Sequence, residues 1–150
     1  MKKIRVVVVD DSAYNRRAIT RMLEEIPGVE VVRGRVGDAS LAARLGPEPF
    51  EVVLSDMSPR ISGAYSTDHA RSVALVREAL GLARQVLAPG GTFVAKVFAG
   101  DLLEELAEEL ETSFNKVIRT KPPASRERSS ELYLLAFEYH SPPSGKRALS

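Results

Sequence analysis

The stretch Glu51-Val-Val-Leu-Ser-Asp-Met-Ser-Pro-Arg-Ile-Ser-Gly63 constrains the fold of this chain more than any other. An apolar run that ends in an acidic residue and then breaks at Pro59 and Gly63 reads as a buried strand of a parallel sheet. Asp56 would then project at the carboxyl edge, along which open α/β sheets bind their ligands. The β-branched run Ile4–Val9 reads as another central strand, and it too ends in aspartates, Asp10 and Asp11.

Helical and extended patterns alternate between and beyond these strands. Ser12 can cap a helix whose apolar positions Ala18, Ile19, Met22, Leu23 and Ile26 fall at helical spacing, ended by Pro27-Gly28. Val29–Val32 reads as a strand, and Asp38 or Ser40 can cap a short helix over Leu41–Leu45. The breaker cluster Gly46-Pro47-Glu48-Pro49 precedes the strand Phe50–Ser55. Val73, Val76, Leu80, Ala83 and Leu87 mark a long amphipathic helix stopped by Pro89-Gly90-Gly91. A strand Thr92–Phe98 and a helix Leu102–Leu110 follow, the helix turning Leu103, Leu106 and Leu110 inward. The last strands, Asn115–Ile118 and Leu132–Phe137, leave no room for a helix between them and so predict an antiparallel edge hairpin. The expected fold is α/β: a three-layer, doubly wound Rossmann or flavodoxin-like sheet, mostly parallel, with strand order 2-1-3-4-6-5. One α/β domain over 1–140 is expected, with a flexible tail at 141–150.

Composition narrows the function classes. The 150 residues include no cysteine, which excludes disulfides and thiolate metal sites. A net charge of +1 gives no global electrostatic case for nucleic acid, so any such case rests on local clustering. No signal-peptide profile and no membrane-length apolar run is present, so a cytoplasmic protein without a membrane partner is expected.

Residues from about Phe50 to Tyr139 carry a set of short motifs. They are Ser55-Asp-Met-Ser-Pro59, Ile61-Ser-Gly63, Asp68-His-Ala-Arg-Ser72, Leu87-Ala-Pro-Gly-Gly91, Val94-Ala-Lys-Val-Phe98, Lys121-Pro, Ser125-Arg and Ser129-Ser-Glu-Leu-Tyr133. In these the chain resembles the FtsJ/RrmJ (RlmE) family of ribosomal RNA 2′-O-methyltransferases. The resemblance implies a Rossmann-type methyltransferase fold, S-adenosylmethionine as methyl donor, ribosomal RNA as partner, and a Lys-Asp-Lys-Glu tetrad. Asp56 matches the tetrad Asp, Lys96 the second Lys and Glu131 the Glu. A ribose 2′-hydroxyl is a poor nucleophile, and a lysine beside carboxylates can take its proton where burial has lowered its pKa. The alternative reading of Lys96 is a salt-bridge partner of Asp56 and nothing more. Lys121, Arg126 and Arg128, in a loop with Lys116 and Arg119, could grip RNA phosphates, or could be a solvated loop.

The first third points elsewhere. The family expects a first catalytic Lys and, after the first strand, a glycine-rich turn that lets backbone approach the cofactor closely. This chain has Val9-Asp10-Asp11-Ser12-Ala13-Tyr14-Asn15 there, without a glycine. Together with its flanks up to Pro27-Gly-Val-Glu-Val-Val32, this segment resembles a response-regulator receiver domain of the CheB/CheY type. That resemblance implies a Mg²⁺ site at Asp10, Asp11 and Asp56, with Asp56 as phosphoryl acceptor. A strand end followed by a helix N-cap is the plainer reading of the acidic pair.

The two resemblances together lead to the expectation of a chimera. A receiver-like half (1–46) would join a methyltransferase-like half (47–140), giving a recombined scaffold that requires no cofactor and lacks full native activity. Two alternatives stand beside it: an FtsJ-type binder of S-adenosylmethionine and RNA, and a receiver-like Mg²⁺ and phosphoryl-aspartate site.

Overall fold

The computed structural model describes residues 3–10, 20–35, 41–57, 62–121 and 131–140. Among the described residues six strands form one sheet: β1 (Ile4–Val9), β2 (Val29–Gly34), β3 (Phe50–Ser55), β4 (Leu87–Phe98), β5 (Phe114–Thr120) and β6 (Glu131–Tyr139). Their order is β2-β1-β3-β4-β6-β5, as the alternation of patterns predicts. β1 pairs parallel with both β2 and β3, and β3 parallel with β4. β6 runs antiparallel to β4 and to the edge strand β5. The helices are α1 (20–24), α2 (Leu41–Leu45), α3 (Tyr65–Val86) and α4 (Leu103–Glu111). Among the described residues no helix is long and apolar enough to cross a membrane.

Why β1 is central follows from its side chains. Val6 to Val9 are all buried, so both faces of the strand are covered, the signature of an interior parallel strand. Phe50, Phe93, Phe114, Leu106, Leu110 and Leu134 fill the core around the sheet, each fully buried. Burial of one such side chain contributes about 1.5–3 kcal/mol. The Phe93 and Phe114 rings stack at 6.2 Å, tying β4 to β5 across β6. Outside, Arg77 of α3 bridges Glu105 and Glu109 of α4.

Two elements differ from expectation. Leu87 does not extend the long helix; α3 ends at Val86 and Leu87 opens β4. Pro89-Gly90-Gly91 is therefore a bulge within the strand, visible as the register shift between Phe50/Leu87 and Val52/Thr92. Gly90, at φ +86°, takes the left-handed conformation that this bulge requires. Met22 and Ile26, expected on an apolar helix face, are 68% and 49% exposed. The reason is position: β2 is the sheet edge, and the elements beside it have little sheet to cover. The expected caps Ser12, Asp38 and Ser40 lie outside the described residues.

Candidate active site at the carboxyl edge

β1 and β3 end side by side, with Val9 registered against Ser55. Each is followed by an aspartate. The Asp56 N–H donates to Val9 O at 3.2 Å, and the Asp10 N–H donates to Gly34 O at 3.1 Å. Main-chain bonding thus continues one residue past the strands and holds both carboxylates at the edge. Asp10 is buried; Asp56 is nearly so.

β4 and β6 supply the partners. Lys96 Nζ lies 3.3 Å from Asp56 Oδ1, and the Tyr133 hydroxyl donates to the same oxygen at 3.2 Å. Lys96 and Tyr133 are cross-strand partners in the antiparallel pair, which places their side chains on one face. Glu131, two residues before Tyr133 and registered against Phe98, shares that face. Burial pushes the Tyr133 hydroxyl up to about 12, helped by the Asp56 charge, the hydrogen bond to Asp56 and the Glu131 charge. The phenol therefore stays a donor to Asp56 at neutral pH. Lys96 keeps 12% and Asp56 11% of its side chain open, so a ligand at the edge can reach both.

The start of α3 braces the same edge. Ser62 donates to Asp68 Oδ1 through both its N–H (2.9 Å) and its hydroxyl (2.8 Å). These two bonds hold the Asp68 carboxyl below its usual value. One residue on, buried His69 bonds Phe98 O through Nδ1 at 2.7 Å, and the Leu102 N–H donates to its Nε2 at 3.0 Å. A backbone N–H can only donate, so Nε2 is the acceptor and Nδ1 carries the proton. Ser72 accepts from the Phe98 N–H at 3.1 Å. The Tyr65 hydroxyl donates to Ala99 O. Gly100 lies against the imidazole so closely that a Cβ there would stand 2.3 Å from Cγ of His69. Glycine is required by contact rather than by dihedral angle.

Of the residues singled out from sequence, Asp56 and Lys96 meet directly, and Glu131 lies along the same strand face as Tyr133. Asp10 stands beside Asp56, while Asp11 is outside the described residues. Among the described residues no group of three metal-binding side chains occurs, and the Oδ1 of Asp56 faces Lys96. Lys121 is exposed after β5; Arg126 and Arg128 are outside the described residues. Arg119 pairs with Glu104. Sequence reasoning gave no role to Tyr133, Tyr65, His69 or Ser72. The signal for the last three was their spacing of four and three, one helix face pointing at the end of β4.

A second opening, of about 320 Å³, lies at the opposite, amino edge between Lys3, Arg5, Glu30, Glu48, Pro49 and Glu51. Its Arg5 is engaged by backbone carbonyls of Leu45, Glu48 and Pro49. We read this opening as structural, because ligands of open α/β sheets collect at the carboxyl ends of strands.

Comparison with known proteins bears on the family and the fold. The sequence profile of the FtsJ-like methyltransferases matches residues 6–139. The chain is 42% identical over 119 residues to ribosomal RNA large subunit methyltransferase E of Halorubrum lacusprofundi, covering 77% of this chain and 44% of that protein. It is 43% identical over 117 residues to the enzyme of the same name from Methylobacillus flagellatus, covering 75% and 56%. The chain thus spans about half the length of the curated relatives it matches. Among solved structures, a candidate ribosomal RNA methyltransferase from Plasmodium falciparum superposes with a TM-score of 0.70 at 22% identity, covering 92% of this chain and 88% of that one. Human methyltransferase-like protein 13, solved with SAH, gives 0.59 at 11%, covering 98% and 78%. These two show the fold alone.

The profile match overturns the expected chimera. It begins inside β1 and crosses the supposed junction near 46–50 without a break. The 119 matched residues also exceed the whole stretch from residue 47 onward. The receiver-like half, the inactive scaffold and the absence of a cofactor requirement fall together. The misleading signal was the acidic strand end itself. Carboxylates at the carboxyl edge suit any parallel α/β sheet that binds ligands there, so the motif is not diagnostic of phosphoryl chemistry.

Proposed function

Because the chain belongs to the FtsJ-like methyltransferase family, we propose that it carries the methyl-transferring site of an S-adenosylmethionine-dependent ribosomal RNA 2′-O-methyltransferase. The observation that supports this most is the Lys96–Asp56 pair, buried except for an opening at the carboxyl edge, with Tyr133 as its third member. S-adenosylmethionine, when bound, supplies an electrophilic methyl group on a positively charged sulfur. The edge suits such a ligand in charge, since Asp10 and Asp56 stand at the ends of adjacent strands. The turn after β1 that would complete the cradle falls on residues 11–19, outside the described residues.

In this reading Lys96 first gives up its own proton to solvent at the open edge; its neutral Nζ would then accept the proton of the ribose 2′-hydroxyl as that oxygen takes the methyl group and the carbon–sulfur bond breaks, the electron pair staying on sulfur. Asp56 orients the lysine and stabilises the ammonium that results, while Tyr133 fixes the rotamer of Asp56 by donating to Oδ1. Glu131, on the same face, adds negative charge toward which the ammonium can turn. Lys121, Arg126 and Arg128 are the residues we assign to RNA phosphates. The test is incubation with methyl-labelled S-adenosylmethionine and ribosomal RNA, followed by nuclease digestion and mass spectrometry of nucleosides. A 2′-O-methylated nucleoside that disappears with Lys96→Met is expected. Label confined to bases, or no label together with no heat of S-adenosylmethionine binding, would sink the reading.

A further inference from the structure

We propose that Tyr65 is a stacking platform for an unpaired base of the RNA strand whose ribose reaches Lys96; this rests on the function proposed above. Among the described residues four large apolar side chains are strongly exposed: Ile4, Met22, Ile26 and Tyr65. Ile4 opens β1 and Ile26 precedes β2, both at the amino edge, and Met22 lies on α1. Tyr65 alone of the four stands at the carboxyl edge, because it opens α3 and its hydroxyl donates to Ala99 O, the residue directly after β4. Lys96 is three residues back along the same strand.

Tyr65 is 58% exposed as a residue, yet its ring is tethered at the tip. Its support is itself braced, since His69 one turn further bonds Phe98 O and receives the Leu102 N–H. Fixing an exposed aromatic in the free protein removes much of the ordering cost that binding would otherwise carry. The hydroxyl is engaged, so what remains to offer is the face of the ring. Single-stranded RNA is the ligand whose chemistry fits: unstacked bases pack on aromatic side chains irrespective of sequence, and every base has such a face. A duplex, whose bases are already stacked, has none to give.

The test compares wild type, Tyr65→Phe and Tyr65→Leu for binding of a short, labelled, mixed-sequence single-stranded oligoribonucleotide by fluorescence anisotropy. Calorimetric titration of each with S-adenosylmethionine runs in parallel. Tyr65→Phe keeps the ring but not its tether and should lose only about two- to threefold, whereas Tyr65→Leu should lose on the order of tenfold in affinity. Methyl-donor binding should be equal in all three, and duplex RNA should not distinguish them. Tyr65→Leu binding the single strand as wild type does would overturn the stacking proposal alone. So would a loss with Tyr65→Phe as large as that with Tyr65→Leu, since the hydroxyl tether and not the ring would then be responsible. Wild type that binds the methyl donor but no oligoribonucleotide would overturn the RNA assignment and this proposal with it.

Discussion

Two clusters of charge sit at opposite edges of the same sheet, and they differ in what neutralises them. At the amino edge Arg5 bonds Glu48 O at 2.6 Å and Leu45 O at 3.2 Å, and its guanidinium lies 4.1 Å over the Phe50 ring. Glu30 approaches within 3.4 Å, and the Arg5 N–H donates to Glu51. At the carboxyl edge Lys96, Asp56 and Tyr133 meet side chain to side chain. Backbone carbonyls are anchored by the sheet and the turns around it, so the first cluster is locked. Side chains can change rotamer when a substrate offers a better partner, so the second can exchange a proton and return. On the function proposed above, backbone partners serve stability at one edge and side-chain partners serve chemistry at the other.

Substitutions at the two edges should separate those roles. The largest effect is expected from Lys96→Met: methyl transfer should fall by about 10²–10⁴-fold, the range for losing a positioned proton acceptor, with methyl-donor binding retained. Single-turnover kinetics would check this, and an unchanged rate would reduce the pair to an ion pair. Arg5→Ala should behave oppositely. It removes charged hydrogen bonds and a cation–π contact, so we expect a loss of about 2–4 kcal/mol in urea unfolding. Transfer per folded molecule should not change; a rate loss beyond the unfolded fraction would erase the contrast between the edges.

Tyr133→Phe sharpens the carboxyl edge more gently, costing about 1 kcal/mol as one hydrogen bond is lost. It also has a signature in pH. The folded state holds the Tyr133 proton up to about 12 against a usual 10.0, so the folded protein binds it more tightly than the unfolded chain. The linked stability is fully present below pH 10.0 and is lost as pH rises through about 12. Alkaline unfolding followed by circular dichroism should show that loss in wild type and not in Tyr133→Phe. The smallest effect is expected at Asp68, whose carboxyl is held below 3.8 by Ser62. Its stabilisation is present above that value and disappears as pH falls below it. Asp68→Asn should therefore be slightly less stable than wild type at neutral pH, with the difference closing in acid melts.

Much of the fold was legible because the patterns are local. The valines of β1, the run ending at Asp56 and the helical spacing of Val73, Val76 and Leu80 each identify an element from its own residues. The bulge at Pro89-Gly90-Gly91 was not legible, since those residues stop a helix and permit a bulge equally well. In the site, Asp56 and Lys96 were recognisable from their motifs, but Tyr133 was not. Its role depends on the register of β6 against β4, which no local pattern specifies. The acidic pair after β1 misled for the converse reason: it is local, common and ambiguous.

What the sequence by itself determined is the order and kind of the elements, the strand order, and the two residues Asp56 and Lys96 that any reading of this chain must explain. Only the tertiary structure decided that Asp56 is shared between an ammonium and a phenol, that α3 braces the end of β4, and that Arg5 is anchored rather than available. The physical reason is that periodicity and breakers act over a few neighbouring residues. Pairings across strands, and the partners of a charge, depend on chain segments brought together only when the sheet closes.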